Sequence, residues 1–126
     1  MIRPDPKPKK LYHITPIAKP RQTRADVWKK RPCVLRYRAF ADQVRAMGVE
    51  VPESCSRITF IIQMPKSWSK SKKKEMMGSP HCQKPDIDNL CKALLDAIYD
   101  DDSVVWDISL RKVWGDEGGI LIESKS

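Results

Sequence analysis

Apolar and polar positions along the chain follow two periods, one typical of helices and one typical of strands. Apolar side chains recur at helical spacing over residues 33–47, which are followed by Gly48, a common helix stop. A second helical pattern covers residues 88–99 and carries two neighbouring apolar stripes. We therefore expect this second helix to be deeply buried or to pack against another subunit, with Leu95 and Tyr99 as contacts.

Several other segments alternate with the period of a strand. Residues 57–63 predict a half-buried strand, and residues 11–17 and 120–123 predict two shorter strands, the first at a sheet edge. Residues 103–113 also alternate. The side chains expected on one face of this last strand are Val104, Trp106, Ile108 and Leu110. The resulting order, β-α-β-α-β-β, predicts an α+β fold with a mixed sheet and two main helices.

The length of 126 residues is that of one domain, so residues 1–126 are interpreted as a single small unit. Residues 1–10 are rich in Pro and Lys and predict a disordered tail. Residues 66–84 form a polar stretch that contains Trp68 and several closely spaced lysines. Because like charges repel, we expect a mobile basic loop here that orders on nucleic acid, with Trp68 stacking on an unpaired base.

The net charge of +8 is unevenly divided along the chain. Residues 1–84 hold 20 Lys and Arg against 6 Asp and Glu, whereas residues 85–126 hold 4 against 10. A basic segment favours a polyanionic partner, because Lys and Arg release counterions from phosphates. Carboxylates opposite such a segment favour a divalent cation between protein and phosphate. This is the outline of a nuclease, and it leaves open a basic binding module with an acidic solvated face.

The apolar runs and the cysteines of the chain predict the cellular compartment of the protein. No apolar run approaches the roughly 20 residues that a membrane span needs, and the first ten residues contain no apolar segment of a signal peptide. The four cysteines match no common zinc framework and predict reduced thiols. We expect a cytoplasmic protein of a bacterial host, of chromosomal, phage or prophage origin, without a membrane partner.

Two aspartates at the start of the second helix are the main candidates for chemistry. Asp86 and Asp88 are two residues apart, so an extended backbone points both carboxylates the same way. Mg²⁺ is normally held by a few carboxylates and keeps several waters. Simpler roles remain open: a helix cap for the pair, an i, i+4 ion pair of Asp88 with Lys92, and a solvated turn for residues 100–102.

The same segment contains a motif that continues beyond the two aspartates. The motif reads Pro85-Asp86-Ile87-Asp88-Asn89-Leu90, then Lys92, then Asp101-Asp102-Ser103-Val104-Val105. It resembles the signature of the RusA family of Holliday junction resolvases, which are crossover junction endodeoxyribonucleases. The resemblance covers roughly residues 56–123 and is most specific over residues 84–113, and Asp107, Lys112 and Gly118-Gly119 also match the family pattern.

The resemblance implies a catalytic site and a partner. Asp86, Asp88 and Asp102 become the metal ligands, Lys92 joins them as a catalytic residue, and Asp101 becomes a supporting acid. The implied cofactor is Mg²⁺, with Mn²⁺ as a substitute, and the implied substrate is branched DNA. A homodimer would nick two strands of a four-way junction symmetrically. The lysines expected to bind DNA are Lys66, Lys70, Lys72, Lys73, Lys74 and Lys84.

Two alternatives stay open at this point. One is a non-catalytic or differently selective nucleic-acid-binding protein of the same fold, acting on flap or fork DNA.

The other concerns Asp102, which follows the helix almost at once. A ten-residue helix is roughly 15 Å long, and three residues span at most about 10 Å. Either the helix ends before residue 98, or Asp102 completes a site across the dimer.

Overall fold

A computed structural model of the chain describes residues 9–20, 32–51 and 56–124. These residues confirm an α+β fold with a mixed sheet, and they add a third, short helix to the two that were predicted. The elements in chain order are β1 Lys9–Tyr12, α1 Pro32–Ala46, β2 Ser56–Gln63, α2 Lys70–Met76, α3 Ile87–Ile98, a 3-10 turn Asp102–Val104, β3 Ile108–Gly115 and β4 Gly119–Ser124. Within these described residues, no helix combines the length and apolar character needed to cross a membrane.

The four strands lie in the order β1-β4-β2-β3. β4 runs antiparallel to both β1 and β2, whereas β3 runs parallel to β2. A parallel pair needs a long crossover, and the chain between β2 and β3 supplies one that contains α2 and α3. This crossover brings the start of α3, with the two candidate aspartates, to the side of the sheet that ends in β3.

One face of the sheet and the two long helices share a hydrophobic core. Ile58 and Phe60 of β2 are fully buried, as their alternation predicted, and Leu90 and Leu94 of α3 are buried with them. Removing a large apolar side chain of this kind from water stabilises the fold by about 1.5–3 kcal/mol. The core therefore anchors α3 and fixes the position of its first turn.

Both apolar stripes of α3 are covered within the same chain. Cys91 and Leu95 of the second stripe are buried, and the Tyr99 hydroxyl donates a hydrogen bond to the Val51 carbonyl. α1 packs against α3 and contributes to the same core. The helix is thus deeply buried, and Leu95 and Tyr99 are not the free subunit contacts that the sequence suggested.

The segment before β3 is not the strand that its alternation predicted. β3 begins only at Ile108, and Val104 and Trp106 are 41% and 75% exposed. The carboxylate of Asp101 accepts a hydrogen bond from the Ser103 backbone N–H at 3.0 Å and starts the 3-10 turn. Short polar side chains that bond the nearby backbone favour turns, and here this local bond outweighs the apolar alternation.

Residues 66–84 were predicted to form a loop, but part of this segment forms the helix α2. The hydroxyl of Ser69 accepts a hydrogen bond from the Lys72 backbone N–H at 3.2 Å and caps the helix. Gly78 then follows with a φ of 76°. No residue of α2 is buried, so the helix lacks the apolar stripe by which sequence patterns are recognised.

The last two residues of the predicted disordered tail, residues 1–10, belong to a strand. Lys9 and Lys10 belong to β1 and pair with β4. Residues 1–8 lie outside the described residues.

Candidate active site

The start of α3 and the edge strand β3 line an open pocket of about 730 Å³. Asp86 occupies the N-cap position of α3, Asp88 lies in its first turn, and both exposed side chains line the pocket. Lys84, Arg111 and Lys112 line it as well. Carboxylates and cations therefore face the same space, which suits a divalent cation together with a phosphate group.

The simpler structural roles do not account for the two aspartates. The Asp86 side chain makes no capping hydrogen bond although it stands at the N-cap. Across residues 9–20, 32–51 and 56–124, neither the Asp86 side chain nor the Asp88 side chain has a hydrogen-bonding or ion-pair partner. Lys92, the expected i, i+4 partner of Asp88, pairs elsewhere. Two unpaired carboxylates thus remain available to a ligand.

Lys92 lies one turn further along α3 and holds Asp102. Its Nζ is 2.9 Å from Asp102 Oδ2 and 3.2 Å from Asp96 Oδ1. Hydrogen bonds to Asp102 and to Asp96 raise the pKa of Lys92, so it stays charged at neutral pH. Asp102 is therefore placed beside the middle of α3, where it pairs with the lysine that the resemblance makes catalytic.

The surroundings of the Cys91 thiol relate Asp102 to Asp88. Burial, and then the carboxylates of Asp102 and Asp88, raise the pKa of the Cys91 thiol to about 11. Both carboxylates therefore lie within electrostatic range of one side chain. α3 nevertheless runs to Ile98, and the described residues contain no group of three His, Cys, Asp or Glu side chains that could hold a metal. The structure brings Asp86 and Asp88 together and leaves Asp102 with Lys92.

Asp96 and Lys19 were missed as members of this site. Lys19 Nζ donates a hydrogen bond to Asp96, whose other oxygen faces Lys92. Burial raises the pKa of Asp96, but the hydrogen bonds from Lys19 and Lys92 outweigh it and lower the pKa. The two lysines and the two aspartates thus form a chain of alternating charges that ends at Asp102. The Asp96–Lys92 spacing was visible in the sequence, whereas nothing marked Lys19, which is 77 residues from Asp96.

Asp101, the expected supporting acid, acts in the structure on the backbone of its own turn. Hydrogen bonds from the side chain and the backbone of Ser103 lower the pKa of Asp101. Its carboxylate is therefore ionised at neutral pH and holds the turn that carries Asp102.

The wall of the pocket opposite α3 is built by His81 and Lys112. Burial and the charge of Lys112 lower the pKa of His81, so its imidazole is neutral at pH 7. The ring packs against Trp114 with a centroid distance of 4.3 Å, and its Nδ1 has no partner within the described part of the chain. The Lys112 ammonium donates hydrogen bonds to the backbone carbonyls of Gln83 and Pro85, both at 2.5 Å.

The predicted DNA-binding lysines fall into two groups. Lys84 lines the pocket. The others lie on α2 or just before it, and they are Lys66, Lys70, Lys72, Lys73 and Lys74. Trp68 is not a free stacking platform, because its ring packs on Trp114 at 4.8 Å and Lys72 Nζ lies 4.3 Å from its centroid. This packing joins the basic helix to the pocket wall.

The donor set is suitable for a hard divalent cation. Mg²⁺ is commonly held by one or two carboxylates and completes its shell with waters and substrate phosphate, which two unpaired aspartates in an open, cation-lined pocket allow. Asp86 and Asp88 would hold the cation, and Lys84 and Lys112 line the same pocket.

Comparison with known proteins identifies a family. The sequence model of a family described as Endodeoxyribonuclease RusA matches residues 13–124. Neither the curated proteins nor the solved structures contain a match.

Proposed function

The chain belongs to the endodeoxyribonuclease RusA family, and from this premise we propose that it is a Mg²⁺-dependent endonuclease that resolves four-way junctions by paired symmetric nicks. Membership in the family makes the chain an enzyme, and the family acts on branched DNA at Holliday junctions. Dependence on Mg²⁺, symmetric cutting and a role in DNA recombination and repair are our proposal. The observation that carries it is the pair of unpartnered carboxylates, Asp86 and Asp88, in one cation-lined pocket.

In this proposal, Asp86 and Asp88 bind the divalent cation, and Mn²⁺ is a substitute for Mg²⁺. When bound, the cation supplies positive charge to the phosphoryl oxygens and lowers the pKa of water in the site. Lys84, Arg111 and Lys112 orient the phosphate by charge, since they line the same pocket. Lys92 stabilises charge that develops on the phosphate oxygens, and Asp102 keeps Lys92 charged and oriented.

We also propose Asp102 as a third metal ligand, and it could reach a metal site in either of two ways. Either Asp102 leaves Lys92 and turns towards the pocket, or it completes the site of a partner subunit in a homodimer. A homodimer suits the substrate, because a four-way junction with two equivalent strands has two-fold symmetry. Asp101 supports either route by holding the turn that carries Asp102.

The alternative is a protein of the same fold that binds nucleic acid without cutting it, or that prefers flap or fork DNA. The separation of Asp102 from the other two carboxylates supports this alternative, because the described residues contain no complete set of three metal-ligating side chains. The experiment below separates these functions, because binding and cleavage are measured on the same set of DNA substrates.

The test incubates the full chain with a synthetic four-way junction, a flap, a fork and a linear duplex of the same sequence, with and without Mg²⁺. We expect two symmetric nicks in the junction, only with Mg²⁺. Asp88→Asn should bind the junction as tightly as the parent or more tightly, because it removes charge that repels phosphate, and should not cut it. The matched control is Asp116→Asn, which removes an exposed carboxylate between β3 and β4 and should cut normally.

The outcomes of this experiment separate the candidate functions and test the site. Binding of the junction without cleavage by the parent supports the non-catalytic alternative. Preferential cutting of the flap or fork supports a differently selective nuclease. Normal cleavage by Asp88→Asn contradicts the assignment of the site.

A further inference from the structure

The segment before α3 is attached to the edge strand β3 in two different ways. Its first part pairs through the main chain: Pro80 bridges to Val113, and the His81 backbone N–H donates to the Lys112 carbonyl at 3.0 Å. After His81 the segment turns towards α3. From there, the side chain of Lys112 forms the attachment, through the carbonyls of Gln83 and Pro85.

These two hydrogen bonds act on the backbone next to the first aspartate. The carbonyl of Pro85 belongs to the peptide group that joins Pro85 to Asp86. An ammonium group has three donors, and Lys112 directs two of them to carbonyls that lie two residues apart. Hydrogen bonds from a charged donor are roughly twice as strong as neutral ones. Lys112 therefore holds the chain at the point from which Asp86 projects.

The side chain of Asp86 contributes nothing to its own placement. It stands at the N-cap of α3 but accepts no hydrogen bond from the helix, and it has no other partner in the described residues. The point from which this carboxylate projects is consequently set by the backbone on either side of it. That backbone is held by Lys112 on one side and by the first turn of α3 on the other.

We propose that Lys112 is a positioning residue that fixes the backbone of residues 83–86, so that Asp86 and Asp88 bind a divalent cation together. The inference rests on the proposed function, since it concerns the cation of that site. Lys112 acts through the backbone and not as a ligand.

This role can be separated from a simple effect of charge, because the two predict opposite signs. Lys112 carries a positive charge in the same pocket as Asp86 and Asp88. If it acted only by charge, its removal would strengthen the binding of a cation, because a repulsive charge is lost. If it positions the carboxylates, its removal weakens the binding.

The test measures Mn²⁺ binding to the full chain without DNA, from the loss of the EPR signal of free Mn²⁺. Lys112→Met nearly matches lysine in length but has neither charge nor donor. We expect it to weaken Mn²⁺ binding by about tenfold to a hundredfold, as is usual for groups that orient metal ligands. Lys112→Arg keeps the charge and several donors, so its affinity should stay within about threefold of the parent.

The control is Lys10→Met, because Lys10 is an exposed lysine of β1, the strand at the opposite edge of the sheet. It changes the net charge by the same amount and should leave Mn²⁺ binding unchanged. Circular dichroism shows whether each variant is folded. If Lys112→Met is unfolded, Lys112→Gln carries the test, since it removes the charge but keeps an amide donor, and its affinity should not rise above that of the parent.

Unchanged or tighter Mn²⁺ binding by folded Lys112→Met would overturn the positioning role. The same titration on Asp88→Asn keeps this failure apart from failure of the proposed function. If Asp88→Asn binds Mn²⁺ as well as the parent does, the metal site itself is wrong. If only Lys112→Met retains full affinity, the metal site stands and the positioning role does not.

Discussion

Asp96 lies between two lysines, and its replacement by Asn tests whether the chain of charges around α3 stabilises the fold. Asn keeps the size of the side chain and one acceptor oxygen but removes the negative charge. Lys19 and Lys92 both donate to the carboxylate, and the Asp96 side chain is only 18% exposed. The substitution therefore turns charge-assisted hydrogen bonds into weaker ones in a partly buried place.

The magnitude follows from the Lys19 bond. The Lys19 side chain is 31% exposed, so solvent screens this pair only in part. A hydrogen bond to a charged group contributes about 1 kcal/mol more than a neutral one. We therefore expect Asp96→Asn to lower the free energy of unfolding by about 1–1.5 kcal/mol at pH 7. The Lys92 bond is open to solvent and is not counted.

The loss should depend on pH in one direction. Burial raises the pKa of Asp96, the bonds from Lys19 and Lys92 lower it more, and the net shift is downward from the ordinary value. A carboxyl group whose pKa is lowered by folding stabilises the fold above its unfolded pKa of about 3.9, and this contribution disappears as the pH falls through the folded pKa. The difference between parent and Asp96→Asn should therefore shrink below about pH 4.

Urea unfolding followed by circular dichroism, at pH 7 and at pH 3, measures both quantities. Asp42→Asn is the matched control, because Asp42 is exposed and lies 4.0 Å from Arg45, an arrangement that contributes little. A loss at pH 7 no larger than that of the control would refute the reasoning. So would a loss that is equally large at pH 3.

Three further predictions concern the proposed site. Lys92→Ala should keep the fold, because the residue is exposed, and should lower turnover on the junction sharply; unchanged turnover would leave Lys92 as a surface ion pair. Replacing Lys70, Lys72, Lys73 and Lys74 by Ala should weaken junction binding and reduce the log–log salt slope by up to about 0.9 per lost phosphate contact; an unchanged slope would exclude α2 from the DNA interface. Light scattering at tens of micromolar should give the mass of a dimer, and a monomer would remove the proposal that Asp102 acts across subunits.

The local pattern of apolar and polar residues predicted those helices and strands whose burial repeats with the period of the backbone. The stripes of α3 and the alternation of β2 were visible because burial on one side repeats with the period of the backbone. The same reasoning failed for Trp106, where the alternation continued but a turn at Asp101 and Ser103 removed the segment from the sheet. It also failed for α2, which has a cap but no buried face.

The sequence by itself determined the two main helices, the division of charge and the proximity of Asp86 to Asp88, because two residues so close in the chain share the same surroundings. Only the tertiary structure decided which groups complete the site. Lys19 reaches Asp96 over 77 residues, Lys112 reaches Pro85 over 27, and Lys92 turns to Asp102 and not to Asp88. Such contacts depend on how α3 packs against β3 and on the path of the connecting chain, and neither is encoded in a local period.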